Sequence, residues 1–126
     1  PKTNIVIPGT TQSMIEEVIV GSWTLKYEGG GSKLVYAGDG NFQYNNSNKR
    51  AMFTHEGKWE VYEKDDRWFV THKGKYFTKT RFGKTFSGAI DDLYIVKQLS
   101  EKKLVLLEAK HKKHIDNSDY DIDYNR

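Results

Sequence analysis

The residues of this chain with the most chemical potential fall into a few short groups. Residues 71–86, THKGKYFTKTRFGKTF, contain no carboxylate and interleave Lys73, Lys75, Lys79, Arg81 and Lys84 with Tyr76, Phe77, Phe82 and Phe86. Cations that neutralise phosphates beside aromatics that stack on bases are what a single-strand nucleic-acid binder requires. His111, His114 and Asp116 offer an H-x-x-H and a nearby carboxylate, ligand types that suit a transition metal. That spacing brings two imidazoles together on a helix rather than on a strand or turn. Asp119, Asp121 and Asp123 have the first spacings of a calcium loop, without the glycine and distal glutamate that such a loop needs. His72 ends an alternating run, Trp68, Val70, His72. In an enclosed interior its imidazole could bond a ligand head group or ligate haem iron; the commoner outcome is a neighbouring tyrosine or a water as partner.

Motifs for covalent chemistry are missing. There is no G-x-S-x-G and no H-E-x-x-H, and the glycine run EGGGS at 28–32 leads into a strand pattern rather than a phosphate-binding helix. The sequence therefore assigns no catalytic residue, no metal and no cofactor, and it reads as a non-enzymatic protein.

The elements that must position these groups follow from length and periodicity. The 126 residues suit one domain, large enough to remove roughly two thirds of its unfolded surface from water. Twenty Lys and Arg against 17 Asp and Glu leave a net charge of +3, too small to demand a polyanionic partner. The charge is unevenly spread: no carboxylate lies between Arg67 and Ile90, whereas DNSDYDIDY near the end carries four. Without cysteine, disulfides and thiolate sites are excluded, which fits either the cytoplasm or the cell envelope. No apolar run approaches the ~20 residues that a spanning helix needs. A chain beginning at Pro1 rather than Met leads us to expect a leading segment removed upstream.

After a short apolar lead-in, NIVIPG, Ser13 and Glu16 form an S-x-x-E pattern that predicts the start of a brief helix with Ile15, Val18 and Ile19 on one face. From Gly21 the pattern has period two, with Trp23, Leu25 and Tyr27 on one side. Gly38-Asp39-Gly40 predicts a tight turn between Leu34/Tyr36 and Phe42/Tyr44, and NNSNKR at 45–50 a loop. Turns are expected at Lys64 to Asp66, at Lys73-Gly74 and at Ser100 to Lys103. The acidic end alternates too, with Tyr120, Ile122 and Tyr124 against Asp119, Asp121 and Asp123, and reads as a last strand. The expected architecture is all-β: residues 1–20 form a lead-in and capping helix, and 21–126 an antiparallel up-and-down barrel of about eight or nine strands.

Gly21-Ser22-Trp23 resembles the G-x-W motif of the lipocalin superfamily, within the calycins, where the tryptophan packs across the closed end of the barrel. LVYAGDGNF at 34–42, GKWEV at 57–61, YIVKQLSEKKLVL at 94–106 and the closing YDIDYNR resemble the small bacterial lipocalin-like domains found in exported lipoproteins. The likeness spans residues 15–126, without a clear T-D-Y motif and without a lipoprotein cysteine. It implies export to the bacterial cell envelope or periplasm, and a barrel lumen that takes a small hydrophobic ligand.

On that basis Trp59, Trp68, Val70, His72, Tyr94 and Leu106 are the expected ligand-binding wall, and the strip at 71–86 is a barrel wall with its lysines in water and Tyr76 or Phe77 continuing the inner face. Two other readings are a protein-interaction module with a packed interior, using its outer face and the 45–50 loop, and a single-stranded nucleic-acid binder. The last is disfavoured, because barrel closure competes for the aromatics that stacking would need exposed.

Overall fold

The computed structural model describes residues 11–109 and 121–126. One helix, α1 (Gln12–Ile19), precedes eight strands: β1 (Gly21–Tyr27), β2 (Gly30–Tyr36), β3 (Asn41–Ser47), β4 (Ala51–Lys64), β5 (Arg67–Thr80), β6 (Thr85–Leu99), β7 (Lys103–Glu108) and β8 (Ile122–Asn125). Each strand pairs antiparallel with the next, and β8 returns to β1, so the sheet is a closed up-and-down barrel. Closure leaves each strand one face for the interior, the alternation legible from Trp23 to Tyr124.

The helix begins two residues earlier than the S-x-x-E pattern suggests. Thr11 is the N-cap: its hydroxyl accepts the Met14 amide at 3.3 Å, while Glu16 accepts from the Gln12 side chain at 3.1 Å. Two candidate caps stand two residues apart, and the one that turns Ile15 and Ile19 onto the barrel forms. Both isoleucines are buried in the same core as Trp23, Leu34, Trp59 and Leu99, so α1 closes the lower end.

The turns obey their residues. Asp65 and Asp66 both occupy the left-handed region, φ 54° and 62°, in the two-residue connection between β4 and β5. At Ala37 to Gly40 the chain reverses with Gly40 at φ 93°, and the Asp39 carboxylate accepts the Asn41 amide at 3.0 Å, a bond that lowers its pKa. Two expectations fail. Asn45, Asn46 and Ser47 belong to β3, leaving Asn48–Arg50 as the connection, because Asn46 is bonded inside the barrel by Ser32 and Tyr27. Lys73-Gly74 is no turn: β5 runs through it, and the chain reverses instead at residues 81–84, where Gly83 has φ 87° and the Thr80 hydroxyl accepts the Lys84 amide.

Gly74 serves a different purpose. It pairs with Gly57 across β4–β5, and a Cβ on Gly57 would overlap the Lys73 carbonyl oxygen and stand 2.7 Å from the Gly74 Cα. The two backbones therefore approach more closely than any side chain permits. Gly57→Ala is expected to destabilise the fold by about 1 to 3 kcal/mol, because backbone rather than a flexible side chain must shift. Gly38→Ala, with no atom within 4 Å of the added carbon, serves as the control and should be nearly neutral in urea denaturation.

Candidate functional site: a cavity at the barrel mouth

The barrel interior divides along its axis. Around the helix-covered end, Trp23, Tyr36, Trp59, Val61, Trp68, Val70 and Leu104 fill the space. At the other end lie the connections β1–β2, β3–β4 and β5–β6, and beneath them is a cavity of about 310 Å³. Leu25, Leu106 and Ile122 supply apolar wall; Tyr27, Ser32, Tyr44, Asn46, His55, Tyr94, Asp121 and Tyr124 bring polar tips to it.

Those polar groups are pre-bonded along one side. The Tyr27 hydroxyl donates to Asn46 Oδ1 at 3.0 Å, Asn46 Nδ2 donates to Ser32 Oγ, and Ser32 Oγ lies 3.2 Å from the Tyr44 hydroxyl. These residues come from β1, β2 and β3 because alternation turns positions 27, 32, 44 and 46 inward at the strand ends nearest the mouth. On the opposite side the Tyr94 hydroxyl donates to Asp92 Oδ2 at 3.4 Å. Burial raises the Tyr94 pKa, with Asp92 and Glu108 adding to the rise, and burial does the same to Tyr124. Both phenols stay neutral. His55 faces Tyr44 with ring centroids 5.1 Å apart; burial lowers its pKa and the charge of Asp92 works against that shift.

His72 forms the cavity floor. Its Nε2 is 2.6 Å from the Tyr36 hydroxyl, its ring stacks on Phe42 at 4.3 Å and meets Tyr94 at 4.9 Å. Burial, reinforced by His55, drives its pKa down to about 3 from the ordinary 6.5. It is therefore a neutral imidazole held by a tyrosine, with Nε2 committed to protein.

Of the six wall residues expected from sequence, His72, Tyr94 and Leu106 line the cavity. Trp59, Trp68 and Val70 are placed otherwise: they belong to the packed lower half, where the Trp59 indole donates to the Ala37 carbonyl at 3.0 Å. Period two gives the inward face correctly and says nothing of height along the axis, so residues of one face are divided between plug and cavity. Of the other mouth residues, Tyr27 and Tyr44 lie on the strand faces that the alternation already picks out, whereas Ser32 sits in the glycine run at 28–32 and Asn46 in the stretch expected as a loop, so turn signals hid them.

His111, His114, Asp116, Asp119 and Tyr120 are outside the described residues. Asp121 pairs with Lys97 and Asp123 with Lys103, each at 2.9 Å. Among the described residues no three His, Asp or Glu side chains come together as a metal group, and no helix is long and apolar enough to cross a membrane.

The fold and its mouth define a closed eight-stranded antiparallel barrel, plugged below and hollow above. Comparison of the chain with known families, curated proteins and solved structures gives no match.

Proposed function

We propose that this barrel is a binding protein that takes one small, mainly apolar ligand through its mouth, with a polar end of the ligand left at the rim. The observation that carries the reading is the mouth cavity, whose ~310 Å³ falls at the lower end of the range for small-molecule sites. Its apolar wall supplies affinity, and the Tyr27–Asn46–Ser32–Tyr44 chain, already ordered, supplies direction without further loss of side-chain freedom. Resemblance of Gly21-Ser22-Trp23 and the later stretches to lipocalin-like domains supports the same reading, and with it an exported place in the bacterial envelope.

An environment-sensitive apolar dye such as N-phenyl-1-naphthylamine tests it. The parent protein is expected to take up the dye, and Leu25→Trp, which fills the cavity, to weaken uptake about tenfold with the fold intact by circular dichroism. Lys75→Gln, on the outer face, should change nothing. No uptake by the parent, or uptake indifferent to Leu25→Trp, would overturn the lumen reading.

A further inference from the structure

The strands around the mouth are unequal. β4, β5 and β6 have 14, 14 and 15 residues against six or seven in β1, β2, β3 and β7. Among the described residues β7 pairs with β6 only from Tyr94 to Leu99, and the β5–β6 hairpin runs on past that pairing to a tip at residues 81–84.

That tip is apolar and basic at once. Phe82 is 89% exposed, Met52 59%, Phe86 51% and Phe77 48%, in a molecule whose other aromatics mostly pack inward. The Arg81 amide donates to the Arg50 carbonyl at 2.8 Å, which joins the β3–β4 connection to the tip. Lys49 and Arg50 thereby fall beside Lys79, Arg81 and Lys84, and the segment from Arg67 to Ile90 itself contributes no carboxylate.

The arrangement of the phenylalanines decides among occupants. Phe77 alternates with Lys75 and Lys79 on the outer face, Phe86 pairs with Thr78 on the inner face, and Phe82 occupies the turn. Successive bases stack on aromatics that share a face, and here the rings are distributed over both faces and the end. A wedge entering an apolar medium has this form, with rings at the level of the head groups and cations meeting the anions there. We propose that the β5–β6 tip docks the protein on an anionic lipid surface, Phe82 entering first, Phe77 and Phe86 following on either side, and Lys49, Arg50, Lys79, Arg81 and Lys84 contacting phosphates. Docking there sets the mouth against the bilayer; that an apolar ligand then passes between lipid and lumen rests on the binding reading above, while docking itself does not.

The test is flotation of the full chain with vesicles of phosphatidylcholine alone and of phosphatidylcholine mixed with phosphatidylserine. The expected result is capture by the mixed vesicles, weakened by added salt and reduced about tenfold by Phe82→Ser, with dye uptake by the lumen unaltered. Phe82 belongs to no buried cluster, so the variant should fold as the parent does. Absence of vesicle capture would overturn the proposal. So would capture indifferent to Phe82→Ser, which is adsorption by charge alone, and so would oligonucleotide binding lost in Phe82→Ser without any vesicle capture, which returns the strip to nucleic acid. Vesicle capture without dye uptake would remove the lumen reading and leave docking standing.

Discussion

Trp23→Ala is expected to lower the free energy of unfolding by about 3 to 5 kcal/mol. Trp23 is fully buried, and three parts of the molecule meet on it. Its indole N–H donates to the Ile19 carbonyl at 2.8 Å, which ties the last turn of α1 to β1. The Arg126 guanidinium lies over its ring at 4.0 Å and donates to the Val18 and Val20 carbonyls, which places a cation at the carbonyl end of the helix. Removing the ring leaves a cavity beneath a cap that can no longer be held, so helix and barrel lose their joint. Urea denaturation is the measurement; a variant within ~1 kcal/mol of the parent would show that the lower end does not depend on this side chain.

The second large effect is acid sensitivity. His72 is neutral in the folded protein down to about pH 3, whereas in the unfolded chain it takes a proton near 6.5. Between those limits the unfolded state binds the extra proton, so stability falls as pH falls, and above pH 6.5 this group contributes no pH dependence. By pH 4.5 the loss is about 2 to 3 kcal/mol, and on the order of 5 kcal/mol over the whole interval. His72→Gln keeps a side-chain amide that can partner the Tyr36 hydroxyl and cannot titrate. Unfolding free energies at pH 7 and pH 4.5 should therefore diverge for the parent by that amount more than for the variant. Equal acid losses in the two proteins would mean that the His72 ring takes its proton in the fold at the same pH as in the unfolded chain.

The sequence made some of this readable and concealed the rest for identifiable reasons. Strand alternation, the Gly38-Asp39-Gly40 reversal, the buried Trp23 and the strand at Ile122 to Tyr124 all follow from local rules, period two and turn chemistry. Lys73-Gly74 misled because a glycine beside a lysine is a turn signal locally, while its true partner, Gly57, is 17 positions away and visible only in the register. Phe77 and Phe86 misled differently. Phe77 shares the outer face with Lys75 and Lys79, so Tyr76 is the residue that continues the inner face; Phe86 does face inward, yet there the strands outrun the core, so an inward orientation no longer implies burial. The cavity was half legible: His72, Tyr94 and Leu106 lie on it, and Trp59, Trp68 and Val70 beneath it, a distinction of height that no periodicity encodes.

The inequality of strand lengths also grades the molecule from end to end. Near α1 every strand is bound to a filled core, and opening there means breaking the whole fold. Toward the tip of β5 and β6 the ladder continues while the core beneath it gives way to a cavity and then to solvent, so local opening becomes progressively easier. On the proposed binding function, a ligand would need only the upper turns to breathe, with the lower half shut throughout its entry and exit.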